Sequence, residues 1–489
     1  MILTTYASSF ELRKTTHAES TTEKQYHLIQ IPDYNFDSLG AKGIESKAVT
    51  TTLTRGKTLA ELAKELQLNF FLVSYTDLLG GTRAKLVPAA KIASVESDGA
   101  FFAPFASNLG LGPDAHDIAA VPDPDSLIVL PWQPNVGWLA SDVYLDGEPF
   151  AAAPRVILKQ VLKQCVDLGY SYKTGVEAEF FLLKQNDRGY QVADAMDTAV
   201  RPCYDQMNLM RQFNFISTVV GYLEQLGWEP YQCDHEDANG QFEINWTYND
   251  ALVTSDRHVF FKYMVKTLAE RNGLLATFMP KPFSQLTGNG AHVHMSLWTD
   301  GANVFADSAE EMGLSNLAYE FLGGVLAHGR GLSALCNPTI NSYRRLGAAM
   351  TTSGSTWSPR YISYGGNNRT HMIRIPEGGR FECRLLDGST NLYLALAGIL
   401  AAGLEGMEKH ILPGKRLDEN MFLRGSEFPE LQTLPSSLLE ALQDLEQDAL
   451  LMATLGEQGA KTFLDFKYQE WNTHNAQVTA WELEQYINC

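Results

Sequence analysis

The sequence predicts an α+β chain: a small domain of short strands, then a larger domain in which long helices alternate with strands, behind a polar extension. Three observations carry this. Residues 1–56 are rich in Thr and Ser and hold no sustained periodicity. From 57 to 150, short apolar runs are broken repeatedly by Pro, Asp and Gly, the punctuation of strands and turns. From 151 to 489 the texture changes to long stretches with apolar residues at helical spacing, separated by short strands.

In order along the chain, residues 59–66 (LAELAKEL) have a helical pattern and open the first domain, and 69–75 (NFFLVSY) read as a strand ahead of the turn DLLGG at 77–81. Residues 103–134 read as loop with short strands. Helices are expected over 154–168, 213–226 and 256–272. The apolar run 392–403 (LYLALAGILAAG) is 12 residues long, short of the roughly 20 that span a bilayer, so it is expected to be a buried helix and no membrane partner is expected. The chain start lacks a charged region ahead of its apolar residues, against a secretory signal; its Ser and Thr content leaves a transit peptide open.

Of the 489 residues, 45% are hydrophobic, enough for a sizeable core, and 38 Lys plus Arg face 57 Asp plus Glu for a net charge of -19. That balance argues against nucleic acid or an anionic membrane as partner, and any anionic substrate must meet a local basic cluster. The six cysteines (165, 203, 233, 336, 383 and 489) show no C-x-x-C spacing. Reduced thiols in a cytoplasm fit them better than a disulfide or zinc framework.

Four expected strands share an unusual polar face. GVEAEFFLL (175–183) carries Glu177 and Glu179; GQFEINW (240–246) carries Glu243, with Glu236 ahead of it; AHVHMSL (291–297) carries His292 and His294; RFECRL (380–385) carries Arg380, Glu382 and Arg384. Residues i and i+2 of a strand face one way. An ordinary wet face would also recruit Lys, Thr and Ser, whereas Glu, His and Arg dominate here, as in a lined active site. Five converging carboxylates would raise one another's pKa unless divalent cations intervene. Oxygen-rich ligands with one imidazole suit Mg²⁺ or Mn²⁺ better than Zn²⁺. There are enough carboxylates for two or three ions, an arrangement that serves phosphoryl transfer.

Between 344 and 384 lie Arg344, Arg345, Arg360, Arg369, Arg374, Arg380 and Arg384, with no Lys and only Glu377 and Glu382 as acids. Arg alone suggests bidentate grips on carboxylate or phosphate. Neither a P-loop nor a strand-linked G-x-G-x-x-G is present.

With these residues in view, the chain resembles glutamine synthetase, and most closely its bacterial type III branch, which includes glutamate–methylamine ligases. The segments that carry the resemblance are DLLGGTRAKLVP (77–88), VPDPDSLIVLPW (121–132), GVEAEFF (175–181), HEDANGQFE (235–243), GNGAHVHMSL (288–297), NPTINSYRRL (337–346), NNRTHMIRIP (367–376) and RFECRL (380–385). They run in family order. The resemblance implies a small N-terminal β-grasp domain, a C-terminal α/β domain with a curved antiparallel sheet, and stacked rings, usually a dodecamer, with active sites shared between neighbours. It implies Glu179, Glu236 and Glu243 as ligands of the metal beside glutamate, and Glu177, His292 and Glu382 as ligands of the metal at the ATP phosphates. Arg345, Arg384 and the backbone of Gly288 would hold glutamate; Arg374 and Arg380, joined by Arg369, would grip phosphate. Tyr248, His294 and Ser296 would form the nucleotide wall. Asp77 would take the proton from the amine in a neighbouring subunit's site. The implied reaction phosphorylates the glutamate side chain with ATP and transfers the γ-glutamyl group to an amine.

There are departures from the family pattern. The family's flap has a catalytic Glu six residues after the arginine aligned with Arg345, where this chain has Thr351. Phe422 stands where some members carry an adenylylated Tyr, and Thr287 where many have Asn. The missing carboxylate favours methylamine over ammonia as the substrate. Glutamine synthetase, a polyamine ligase and a noncatalytic member of the fold are the alternatives.

Overall fold

The computed structural model describes residues 56–187, 189–346, 348–351 and 355–489. The polar extension expected over 1–56 therefore lies, apart from Gly56, outside the described residues. Helix Leu59–Glu65 opens the described chain with a capping box: Thr58 accepts from the Glu61 backbone N–H, and the Glu61 side chain accepts from the Thr58 backbone.

A first sheet follows. Its strands are β1 (Phe70–Thr76), β2 (Thr82–Pro88), β3 (Ala100–Phe102), β4 (Ile118–Pro122), β5 (Ile128–Val129), β6 (Val136–Leu145) and β7 (Glu148–Pro149). They are ordered β2-β1-β6-β4-β3, with β5 and β7 also on β6. Only β1 and β6 run parallel.

A second sheet contains β8 (Ser171–Asn186), β9 (Gly189–Val192), β10 (Pro230–His235), β11 (Gln241–Trp246), β12 (Asn249–Asp250), β13 (Leu275–Thr277), β14 (Ala291–Thr299), β15 (Ala302–Asn303), β16 (Tyr364–Gly365), β17 (Ile373–Arg374) and β18 (Phe381–Cys383). Its order is β10-β11-β8-β14-β18-β17-β16, with β9, β12 and β13 on β8 and β15 on β14. Apart from the parallel β16–β17 pair it is antiparallel.

Several expected bounds shift: the strand expected over 175–183 runs Ser171–Asn186, and two further changes have a local cause. The helix expected from 256 begins at Ala251. Its early Thr and Ser look like a cap, but Thr254 Oγ1 donates to the Thr174 carbonyl and Ser255 Oγ to the Ala251 carbonyl, so neither competes with the helix. The strand expected over 380–385 keeps only Phe381–Cys383; at Arg384 the backbone N–H turns to the Met372 carbonyl.

The apolar run at 392 is, as expected, a buried helix, Leu392–Glu408. It packs on helices Asn316–Ala327 and Pro154–Asp167. Gly324 and Gly406 let it approach: a Cβ on Gly324 would stand 2.0 Å from the Ala402 carbonyl oxygen, and one on Gly406 would stand 2.3 Å from that of Glu320. Among the described residues, no helix is long and apolar enough to cross a membrane.

One buried cation ties the first sheet to the helices behind the second. Arg155 reaches Asp142 on β6 and Asp123 just after β4, each at 2.7 Å, and Asp256 at 3.0 Å. Asp256 also accepts from the Tyr393 hydroxyl at 2.6 Å.

Candidate active site

The pairing register of the second sheet decides which polar side chains meet. Directly opposed residues in antiparallel strands share a face. Glu243 on β11 lies opposite Asp234 on β10 and Glu179 on β8. Glu177 lies opposite His292 on β14. His294 lies opposite Glu382 on β18, which lies opposite Arg374 on β17. The face read from four separate strands is thus one continuous surface.

Two triads on it have the geometry of cation sites: Glu177, His292 and Glu382, and Asp234, Glu236 and Glu243, with the ligand atoms of each group within 4.8 Å of one another. An all-oxygen triad beside an oxygen-plus-imidazole triad is the donor set that hard divalent cations take. The electrostatics fit that use. Burial, then the neighbouring carboxylates (Glu179 first for Glu236, Glu177 first for Glu243), pushes both far above the ordinary carboxylate range. Burial also raises Asp234. His292 is pushed well below its ordinary value by burial and then by Arg384 and Arg345, which keeps the imidazole neutral, the form that ligates metals. Burial pushes Glu382 up, but Arg384, His294 and Arg374 outweigh it and its pKa falls.

Glu179 is placed differently from the other acids. Its Oε2 accepts from the Gly290 backbone N–H at 2.8 Å and from Gln241 Nε2 at 3.0 Å, and only Oε1 turns toward His292, 3.9 Å from Nδ1. Asp234, which the sequence reading did not single out, groups with Glu236 and Glu243, and Glu179 stays beside them as the leading neighbouring charge on Glu236. The i, i+2 relation of Asp234 to Glu236 was the signal available.

The hairpin that carries Asp234, Glu236 and Glu243 is braced from behind by Asp197. Its carboxylate takes Asn208 Nδ2 (2.7 Å), Asn239 Nδ2 (2.8 Å), the Gly240 N–H (2.6 Å) and His235 Nε2 (2.8 Å). The other ring nitrogen of His235 lies 2.9 Å from the Glu236 carbonyl oxygen. The imidazole between the two acids is thus held at both ends.

Two cavities open on this face. A polar one of about 260 Å³ is lined by Glu177, Glu179, Asp234, Glu236, Glu243, His292, Thr287 and Trp357 and by Arg369, Arg374, Arg380 and Arg384. The second, of about 470 Å³, is lined by Tyr248, Trp298, Ser296 and Gly378-Gly379 among others. Glu177, Tyr231, His294 and Arg380 line both. Tyr248 and Trp298 stack with ring centroids 6.2 Å apart, a wall suited to a planar base.

Of the residues expected to contact nucleotide, Tyr248, His294, Ser296 and Arg380 line the second cavity; Arg369 lines the polar one and an outer groove beyond it. His294 Nε2 lies 2.9 Å from Glu177, and its Nδ1 lies 2.7 Å from Arg380 Nη1.

The residues expected to hold glutamate divide. Arg384 lines the polar cavity and pairs with Glu382. Arg345 is buried behind it, donating to the Leu385 carbonyl and to His292 Nε2, each at 3.3 Å. Gly288 lies beside Arg345, and its carbonyl accepts from Gln241 Nε2. Asp77 is brought to neither cavity. It sits in the β1–β2 turn, fully buried, where its carboxylate accepts from the Leu79 and Gly81 N–H groups, Asn108 and Arg83. Nor does Thr351 line either cavity: its hydroxyl donates to the Ser355 carbonyl at 3.0 Å. The flap segment reaches the polar cavity through Trp357 instead, which sequence reasoning passed over.

The family pattern described as "Glutamine synthetase, catalytic domain" matches residues 151–486. The chain belongs to the glutamine synthetase family. It is 49% identical over 432 residues to a glutamine synthetase of Rhizobium leguminosarum bv. phaseoli, covering 88% of this chain and 99% of that one. It is 41% identical over 434 residues to a glutamate–methylamine ligase of Methyloversatilis universalis, covering 87% and 98%. A solved structure described as a GmaS/ADP complex superposes with a TM-score of 0.85 at 54% identity, covering 88% and 99%. The chain has the glutamine synthetase fold and is an ATP-dependent glutamate–amine ligase.

Proposed function

We propose that the protein is a glutamate–methylamine ligase, forming γ-glutamylmethylamide from glutamate, methylamine and ATP. The observation that carries the ligase chemistry is the shared wall: Glu177, Tyr231, His294 and Arg380 line both cavities, so a nucleotide in one would extend its phosphates toward a carboxylate in the other. The polar cavity brings the acyl and phosphoryl partners together with little freedom to separate.

In this reading Arg384, supported by Arg345 and Gly288, orients glutamate. Arg369, Arg374 and Arg380 hold the γ-phosphoryl group while a side-chain oxygen attacks it and ADP leaves. The γ-glutamyl phosphate is then attacked by the amine nitrogen and inorganic phosphate departs. The arginines are aimed where charge accumulates in both steps. Two or three Mg²⁺ or Mn²⁺ ions, held by Glu177, His292 and Glu382 and by Asp234, Glu236 and Glu243 with Glu179 at their edge, would supply further charge neutralisation for the phosphoryl group.

Asp77 enters this scheme by family likeness, as a neighbour's contribution; within its own chain it lines neither cavity and its carboxylate is held by Arg83, Asn108 and the Leu79 and Gly81 N–H groups. A homo-oligomer, a dodecamer by family likeness, would supply it, with residues 57–150 as the domain that reaches across and 151–489 as the catalytic domain. Six unpaired thiols suit a reducing cytoplasm.

The choice of methylamine rests on a flap segment, residues 346–358, that holds no Asp or Glu, and on the likeness to GmaS at 54% identity. Ammonia is the competing amine, favoured by the name of the Rhizobium relative at 49%. An ATP-coupled assay with glutamate and ammonia, methylamine, ethylamine, ethanolamine or putrescine separates them. Methylamine is expected to give the highest kcat/KM with ammonia still used, because burying one methyl is worth only about 0.8 kcal/mol, about fourfold. A strong preference for ammonia would make the protein a glutamine synthetase.

A further inference from the structure

We infer that Trp357 is the residue that sets amine specificity, its indole replacing a flap carboxylate as the wall against which the alkyl group of the amine packs. This rests on the glutamate–amine ligase reading and deepens it. Three observations converge on Trp357. First, its backbone is left-handed, with φ of +54°, a conformation costly for a bulky side chain and found where surrounding contacts impose it. Those contacts are present: the Trp357 N–H donates to Ser355 Oγ at 3.1 Å, its carbonyl accepts from Arg384 Nη2 at 3.4 Å, and Ser358 Oγ donates to the Arg345 carbonyl at 2.8 Å. The Trp357 backbone is thus tied to Arg384, and its neighbour Ser358 to Arg345, the two arginines expected to hold glutamate.

Second, Trp357 borders the polar cavity at the end away from the nucleotide. It lines that cavity and the outer groove of Ser355, Asn367, Arg369 and Phe422, but not the cavity of Tyr248 and Trp298. An amine must approach the acyl carbon from a side that the departing phosphate does not occupy, and Trp357 stands outside the nucleotide cavity. Third, the indole Nε1 is buried without a hydrogen-bond partner, and so is Arg384 Nε. A buried donor left unmade is costly unless bound substrate completes it.

An indole offers a cation π-electron density and apolar surface but no lone pair. A methylammonium ion uses both surfaces; ammonium, with a fourth N–H and no methyl, gains more from a carboxylate. The ring's attraction for a desolvated cation corresponds to roughly 2- to 30-fold in affinity, and the methyl adds about fourfold.

The test is the ratio of kcat/KM for methylamine to that for ammonia, with ethylamine and propylamine alongside. Trp357→Glu is expected to lower the methylamine-to-ammonia ratio by about tenfold or more, since it gives the cavity wall a carboxylate acceptor. Trp357→Ala is expected to raise ethylamine and propylamine relative to methylamine by several-fold, and Trp357→Phe to hold the wild-type ratios within about threefold. Thermal melting and oligomer size establish which variants are folded; if Trp357→Glu is not, the Ala and Phe pair decides. Unchanged amine ratios in the folded Glu or Ala variant, with a raised KM for glutamate alone, would overturn the inference and reduce Trp357 to a prop for Arg384. A wild-type enzyme that prefers ammonia would defeat the methylamine reading separately, and the same ratios would still decide what Trp357 does.

Discussion

Replacing Glu243 by Gln separates two opposing effects of one buried carboxylate. The ligand atoms of Asp234, Glu236 and Glu243 lie within 4.8 Å of one another, and at that distance each fully ionised pair repels by about 3–4 kcal/mol at an effective dielectric near 20. Glutamine removes two of the three pairs, relieving up to about 7 kcal/mol, an upper bound because protonation already dissolves part of the conflict. The metal-free variant should therefore melt no lower than the metal-free wild type. With excess Mn²⁺ the order reverses. Losing one ligand is expected to weaken binding on the order of 100-fold, which removes about 2.7 kcal/mol of metal-linked stabilisation under saturating conditions, and turnover should fall by orders of magnitude. Melting curves with chelator and with Mn²⁺ read both effects. Mn²⁺ titrations in two buffers of different ionisation heat read a third: because burial and neighbouring acids raise Glu236 and Glu243, cation binding displaces protons, and the variant should release fewer. A variant that gains the full wild-type shift from Mn²⁺, or that melts far below wild type in chelator, would refute the assignment.

Three other outcomes follow from the same geometry. His328 lies 2.7 Å from Asp448 and 2.9 Å from Glu405; burial lowers its pKa but these partners outweigh it, so the folded value is raised. Its stabilisation is then complete below the ordinary histidine value and lost as pH rises through the folded one. The melting deficit of His328→Gln relative to wild type should accordingly shrink from pH 6 to pH 9, and a constant deficit would contradict the pairing. Arg155→Met leaves Asp123, Asp142 and Asp256 without their shared cation, so denaturant unfolding should show a loss of about 3–5 kcal/mol, partly recovered by adding Asp256→Asn; a loss below about 1 kcal/mol would mean the cluster contributes little. Mixing inactive Asp77→Asn with inactive Glu382→Ala subunits should regenerate some activity through hybrid interfaces, and if subunits exchange but no activity returns, sites are not shared.

The sequence alone determined the chemistry of the site, because period-2 alternation puts Glu177 with Glu179, His292 with His294 and Arg380 with Glu382 and Arg384 on single faces without reference to any partner strand. It also determined the buried helix at 392 and the anion grip, since a run of arginines without lysine is a statement about side-chain geometry. Register between strands was beyond its reach, because pairing depends on contacts between segments far apart in the chain. Only the fold opposed Glu243 to both Asp234 and Glu179, brought Asp234 beside Glu236 and Glu243, and set Arg345 behind His292. Only the fold turned Thr351 toward Ser355 and brought Trp357 to the cavity, because a flap's path depends on the groups that clamp it, here Arg345 and Arg384, and not on its own local pattern. Asp77 shows the same division: its residue type was legible, but that it lines neither cavity of its own chain follows from the placement of the first sheet.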